Sequence, residues 1–407
     1  MEAEIALTVD RMLEASADPT TLRSLLLATP AYAELTFLQP SPPLPPSNPT
    51  VHGEVNGLEK VLEKLEALRR REPDNEALGQ LGAVRIKAMV EAVGPDEVMV
   101  RPVLLRHSVL LLVASGGRLA VTERFVNMPE LLASVGRLTA LAADRGALED
   151  GLGRDSEYVS TRLLQPALAE FPGRRHLLWL AQGPLKELPL ALLEVQGESL
   201  LQRMSVSYLD GPGSSPKFPL SASLPTLLIG GSDDLAGAAQ ELAEVRALLP
   251  KGASWRLGQE FSGLQSLVGQ HKLVHISSHG LPPSATSTGE LTGSEGSLSA
   301  FRLADLSFAP GTLVVAAACQ VGSESGQGPG DSTVLNALRT AGAATVLASP
   351  WTLDDQSSKE LVLAFYRHLL ESERPDEALA SAQLEMRRTH PHPYHWAGPR
   401  IVTGRAR

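Results

Sequence analysis

Leu273-Val274-His275-Ile276-Ser277-Ser278-His279-Gly280 opens with a short apolar run and closes on two serines, a histidine and a glycine. A run of that length bounded by small polar residues reads as a buried strand, with its last residues leaving a sheet at the carboxyl end. Further along, Leu313-Val314-Val315-Ala316-Ala317-Ala318 is a second such run. It ends at Cys319 and the small, flexible Gln320-Val321-Gly322-Ser323-Glu324-Ser325-Gly326. Two neighbouring parallel strands ending in His-Gly and Ala-Cys would bring an imidazole and a thiol to one edge of a sheet. That is the edge at which open α/β sheets collect ligands and reacting groups.

Outward from this pair, strands and helices alternate. Thr226–Ile229, Leu273–Ile276, Leu313–Ala317 and Ala344–Ala348 read as strands, and Leu235–Leu249, Val334–Ala341 and Gln356–Leu370 as helices. Such alternation predicts a mainly parallel sheet covered by helices on both faces. Residues 281–299, rich in Ser, Thr, Gly and Pro, read as a mobile loop between the two candidate strands. Upstream, Val109–Val113 and Leu119–Val121 flank Ser115-Gly116-Gly117-Arg118, a hairpin signal. A helix over Pro129–Ala143 and strands at His176–Leu180 and Ser205–Leu209 follow, and Asp210–Pro219 is a loose Gly/Ser/Pro separator.

The first hundred residues differ in character. Residues 1–35 carry helical spacing, and the prolines of Gln39–Pro49 give either a semi-rigid linker or a surface loop. Gly57–Arg71 is an amphipathic helix, and Asn75 caps a second one running to about Val93. The expected organisation is a helical region over 1–97 with a Pro-rich linker at 39–50, then an α/β unit over 98–217 and another over 218–407.

Net charge is −10, from 46 acidic and 36 basic residues, which speaks against a general nucleic-acid binder. A single cysteine excludes an internal disulfide and zinc sites built on cysteine pairs, and fits a reducing compartment. Met1-Glu2-Ala3-Glu4-Ile5 lacks the basic and apolar regions of a signal peptide, and no apolar stretch approaches the roughly 18–20 residues of a membrane span. The expectation is a cytoplasmic protein without membrane segment, metal or cofactor.

A thiol becomes an efficient nucleophile when its thiolate is stabilised, and an imidazole beside it does this and can return a proton to a leaving amine. Cys319 and His279 are therefore the candidate catalytic pair. Gly280 permits close backbone approach, and its N–H with that of Cys319 would hold an oxyanion. Each residue alone has a plainer reading: a cysteine ending an Ala/Val strand is commonly a small core residue. The joint pattern favours a cysteine-nucleophile hydrolase. His275 shares a strand face with His279 but reads as a satisfied interior histidine. His390, His392 and His395 lack an evident carboxylate partner and read as loop residues, and Ser277 and Ser278 as hydrogen-bonding neighbours of the pair.

Leu273–Gly280, Val315–Cys319 and Ala341-Gly342-Ala343-Ala344-Thr345-Val346-Leu347-Ala348-Ser349-Pro350-Trp351 resemble the CHAT protease domain. So do Phe365–Leu370, a helix over Ala378–Met386, His395-Trp396-Ala397-Gly398-Pro399 and, upstream, Gln182–Ala191. CHAT is the caspase-like peptidase domain of bacteria, often attached to tetratricopeptide repeats and related to caspases, gingipains and separase. The resemblance spans about residues 100–405. It implies a His279/Cys319 dyad, and an inactive caspase-like half near 98–217 packed on an active half near 218–407. It also implies that Asp331 first, then Asp354 and Asp355, are candidates for selecting a basic substrate side chain; helix N-capping is the other reading of all three, and the stronger one for Asp354 and Asp355. The sequence departs from the family at Gln320, where an acid is usual, and at Pro350 and Ser332.

The implied function is a cysteine endopeptidase acting on a protein or peptide substrate. Its expected control is an activating protein partner or ligand at the N-terminal region, in bacterial stress, anti-phage or cell-death signalling. The alternatives are an inactive caspase-like interaction module and, from the Gly230-Gly231-Ser232 turn, an α/β ligand-binding protein. The latter lacks both a P-loop and a Gly-x-Gly-x-x-Gly pattern.

Overall fold

The computed structural model describes residues 51–54, 59–147, 152–221, 223–230, 236–250, 255–258, 264–284, 287–293, 296–317 and 333–404. The chain begins with strand β1 (Val51–Glu54) and helices α1 (Glu59–Arg71), α2 (Glu76–Gly79) and α3 (Ala83–Glu91). Strands β2 (Glu97–Leu104), β3 (Ser108–Ser115) and β4 (Arg118–Phe125) follow, then α4 (Met128–Ala143), α5 (Leu152–Val159) and α6 (Gln165–Glu170). Next come β5 (His176–Trp179), the short pair β6 (Glu194–Val195) and β7 (Glu198–Ser199), α7 (Leu200–Arg203) and β8 (Ser205–Leu209).

The later part holds β9 (Thr226–Gly230), α8 (Ala236–Leu248), β10 (Trp255–Gly258), α9 (Leu264–Val268) and β11 (Leu273–Ser277). After it run β12 (His279–Ser284), β13 (Ser287–Gly293), β14 (Gly296–Ser299), α10 (Ala300–Ala304) and β15 (Leu313–Ala317). The chain then adds α11 (Val334–Thr340), β16 (Thr345–Ala348), α12 (Asp355–Ser372), α13 (Pro375–Thr389) and β17 (Arg400–Thr403).

Twelve strands make one sheet, in the order β1-β4-β3-β2-β5-β8-β17-β16-β15-β11-β9-β10. From β2 to β10 every pairing is parallel except β17 with β16. The fold is thus the expected α/β class, a large mainly parallel sheet flanked by helices. The last strand, β17, lies parallel to β8 and antiparallel to β16, and so joins the two groups of strands into a continuous sheet. The strands are near-unbroken apolar runs because both faces are covered: β3 and β11 are buried along their whole length. The β3–β4 hairpin closes through Gly116 and Gly117, with φ of 52° and 78°. A two-residue turn with both φ positive matches strand twist, and glycine adopts it without strain.

One face carries a continuous core under α4–α8, α12 and α13. The other is divided: α1–α3 cover β2, β3 and β5, whereas α9–α11 cover β9, β11, β15 and β16. The amphipathic stripe of α1 explains its place, since Val61, Leu65 and Leu68 are buried there against the sheet.

Three readings of the sequence are corrected. Residues 281–299 are not a structureless loop: β12, β13 and β14 form an antiparallel three-stranded sheet, with Leu291 and Leu298 buried. Its Ser, Thr and Gly content hid an alternation whose inward positions are few. The helix capped by Asn75 stops at Gly79 and restarts at Ala83, because the Gly79–Gly82 step interrupts it. Asn75 does cap, accepting from the Leu78 N–H at 3.1 Å. The Asp210–Pro219 segment is pinned rather than loose: Ser215 N–H donates to Glu97 at 3.0 Å, and Phe218 N–H to the Glu373 carbonyl at 2.6 Å.

Candidate active site

Strands β9, β11 and β15 finish level with one another, with Gly230, Ser277 and Ala317 as register partners. β16, beside β15, ends at the same edge with Ala348. Ser278 extends the β11–β15 ladder by one step, its N–H donating to the Ala317 carbonyl at 3.4 Å. Its hydroxyl lies 2.9 Å from the Thr292 carbonyl and 3.0 Å from that of His279, which ties the turn to β13. His279 then opens β12 opposite Thr292, its side chain exposed, and Gly280 stands opposite Leu291.

A cleft of about 60 Å³ lies at this edge, lined by Ser277, His279, Ala317, Glu241, Trp351 and Asp355 among others. Two of its described lining residues are carboxylic acids and none is Lys or Arg. Its walls come from six elements, α8, β11, β12, β15, β16 and α12, and the cleft forms where the parallel strands end together. Gly398 sets the position of Trp351: a Cβ there would sit 2.7 Å from the indole and from Ser349 Oγ.

Of the residues singled out in the sequence, His279 and Asp355 are brought together on this cleft. Asp354 is adjacent but acts as the N-cap of α12, accepting from Gln356 and Ser357 N–H at 3.2 Å each. Partial burial pushes its pKa up, and the hydrogen bonds from Ser357 together with His395 outweigh this, leaving it below the usual carboxylate value. His395 Nδ1 lies 3.0 Å from Asp354 Oδ2, and burial holds its pKa below the ordinary imidazole value despite that acid. Cys319 and Asp331 lie outside the described residues; Ala317, two positions before Cys319, is on the cleft.

His275 is fully buried and satisfied, as its place on an inner strand suggested. Tyr366 O–H donates to Nδ1 across 3.1 Å, which leaves Nε2–H to donate to Glu241 Oε1 at 3.0 Å. Burial, reinforced by the Glu241 charge, pushes the Tyr366 hydroxyl well above the usual phenol range, so it remains a donor. Glu241 therefore faces both the cleft and the core, with 5% exposure. Nothing in the sequence marks it: Glu244 on the same helix has the same helical context.

The C-terminal histidines depart from expectation in one respect. His390 Nε2 meets Glu360 at 2.8 Å and His395 meets Asp354, because α12 packs along α13 and brings acids from thirty or more positions earlier. His392 Nε2 reaches the Ala147 carbonyl at 2.9 Å. Among the described residues no group of three or more His, Cys, Asp and Glu side chains is arranged to hold a metal ion. Nor is any helix among them long and apolar enough to cross a membrane.

The fold and its strand-edge cleft define a caspase-like α/β protein. A family model for the CHAT domain matches residues 154–405, and the chain belongs to that family. No curated protein sequence matches it. Among solved structures it is similar to separase in the Saccharomyces cerevisiae separase–securin complex, with TM-score 0.53, 9% identity, 99% of this chain and 38% of that one covered. The chain thus spans well under half of separase. It is also similar to the Arg-specific cysteine proteinase gingipain R, with TM-score 0.42, 11% identity, 64% of this chain and 68% of that one covered. A complex of the pro- and mature domains of the Porphyromonas gingivalis enzyme matches with TM-score 0.44 and 12% identity, covering 65% and 74%.

Proposed function

We propose that the chain is a cysteine endopeptidase in which Cys319 is the nucleophile and His279 its acid–base partner. The observation that carries this reading is the in-register pairing of Ser277 with Ala317, with His279 on the cleft two residues beyond the first. Cys319 follows the second at the same interval. Two residues of chain reach at most about 7 Å. The Cys319 thiolate attacks the scissile carbonyl and gives a thioacyl-enzyme. His279 protonates the leaving amine and then takes a proton from the hydrolytic water. The backbone N–H groups of Gly280 and Cys319 receive the oxyanion.

The acidic lining supports a basic side chain of the substrate in the cleft, with Asp355, which lines it, a candidate for that role and Asp331 and Asp354 the other candidates. Residues 98–217 serve as a non-catalytic half and 218–407 as the catalytic half. The helical region over 1–97 is the place for an activating partner or ligand, in a cytoplasmic defence or cell-death response. Because the chain has one cysteine, a fluorescent thiol-directed electrophile tests the dyad directly. Wild type is labelled rapidly, Cys319→Ala not at all, and His279→Ala slowly. Equal rates for wild type and His279→Ala overturn the reading.

A further inference from the structure

Arg101 lies in the interior of β2 and is 4% exposed. Its same-face neighbours Met99 and Val103 belong to the core beneath α1–α3. Among the described residues neither its Nε nor its Nη2 has a hydrogen-bond partner. The chain treats its other sheltered guanidiniums differently. Arg137 grips Asp155 at 2.6 and 2.8 Å, Arg339 meets Asp210 at 2.7 Å, and Arg374 meets Asp376 at 3.3 Å. Arg101 stands apart from them in a core of leucine, valine and methionine.

Arg85 belongs to α3, whose Ile86 and Met89 share the buried core of Met99 and Val103. Burial, and after it the positive charge of Arg85, pulls the Arg101 pKa below the ordinary guanidinium value. Arg85 is exposed, on α3, and donates from Nη1 to Gln80 Oε1 at 3.1 Å. Gln182, just beyond β5, donates to the same Gln80 oxygen at 3.4 Å. Arg85, Gln80 and Gln182 are thus joined just beyond β5, whose following residue Leu180 donates its N–H to the carbonyl of Val100, next to Arg101, at 3.0 Å. An uncompensated buried charge is strongly destabilising, and an apolar side chain of similar length would avoid that cost. Guanidinium forks match the paired oxygens of phosphate and carboxylate, and two of them sharing one anion remove their mutual repulsion.

We propose that Arg101 and Arg85 form a binding site for a small oxyanion, phosphate or carboxylate in class, admitted from the exposed Arg85 side. The site is independent of the peptidase reading, because it is measured by binding alone. The experiment is thermal unfolding of the full chain with inorganic phosphate or acetate, against chloride at equal ionic strength. Saturating oxyanion raises the wild-type Tm by about 2–4 °C, and chloride does not. A response to phosphate alone assigns the tetrahedral class; a response to acetate alone assigns the carboxylate class. Arg101→Met loses the response and melts no lower than wild type without anion. Arg85→Gln, an exposed change that leaves the fold intact, weakens the apparent affinity about tenfold. The proposal is overturned if neither anion shifts wild type, or if Arg101→Met and Arg85→Gln respond as wild type does. It is also overturned if Arg101→Met is several degrees less stable in chloride, since the guanidinium then has a partner already.

Discussion

Ser277 and Ala317 are register partners at the ends of two adjacent parallel strands, and the Ser278 N–H reaches the Ala317 carbonyl one step further on. That pairing sets the distance between the two chain segments that carry His279 and Cys319. In the proposed dyad the two residues act as a unit, so their losses do not add. On a peptide found by library digestion, Cys319→Ala and His279→Ala are each expected to lower kcat roughly a thousandfold or more. The double variant falls no further than the worse single one. Additive losses would show that the two residues work separately.

The Glu241–His275–Tyr366 chain fixes β11, the strand that leads to His279, from behind. Tyr366→Phe removes one hydroxyl and leaves buried Nδ1 of His275 without its donor. The expected loss is about 1–3 kcal/mol in urea unfolding, with the slope unchanged. Adding His275→Phe to that variant should cost less than His275→Phe does alone, because the two side chains share one interaction. An additive pair would mean that the contact contributes little.

Much of this arrangement was legible in the sequence, and the reason is physical. Strands such as Leu273–Ser277 and Leu313–Ala317 are buried on both faces, so each is an unbroken apolar run that announces itself locally. The turn residues that follow carry the candidate chemistry, so the site's two strands and His279 could be read off together. What escaped were features that depend on distant partners. Arg400–Thr403 reads as nothing in isolation and becomes a strand because β8 and β16 leave a gap of one strand's width between them. Glu241 is one helical acid among several until α8 packs beside β11. The β12–β14 sheet was hidden because its small polar residues resemble a loop. Leu291 and Leu298 give too short an alternation to expose it.

Asp354 and Asp355 are neighbours with separable roles. Asp354 holds two N–H groups at the start of α12, whereas Asp355 lies on the cleft. Asp354→Ala should therefore cost about 1 kcal/mol of stability, by loss of the cap, and Asp354→Asn less, since the amide oxygen still accepts. Asp355→Asn should leave stability unchanged and raise KM for peptides with a basic residue before the cut. A KM effect confined to Asp354 variants would reverse this division.

Asp376 offers a test through pH. It is 2% exposed, held by Ser205 Oγ at 2.6 Å and His176 Nδ1 at 3.1 Å, with Arg374 at 3.3 Å. Glu377 and Glu97 are the other charges nearby, 3.6 Å from His176 and 3.7 Å from Arg374 respectively. Burial alone would raise its pKa; the His176 hydrogen bond, the Arg374 charge and the Ser205 hydrogen bond overcome that and hold it well below the usual carboxylate value. A depressed folded-state pKa means that the unfolded chain binds the proton first as pH falls. The contribution is then complete above the unfolded value of about 4 and is lost progressively below it. Asp376→Asn should be less stable than wild type at pH 7 by about 1–3 kcal/mol, because it removes the charged acceptor that Arg374, His176 and Ser205 share while Glu97 and Glu377 remain nearby. The gap should shrink as urea midpoints are followed from pH 5 towards pH 3, wild type losing stability faster than the variant. Parallel curves across that range would show that folding leaves the Asp376 pKa unshifted, and a gap that widens would show that the acid is held neutral in the folded protein.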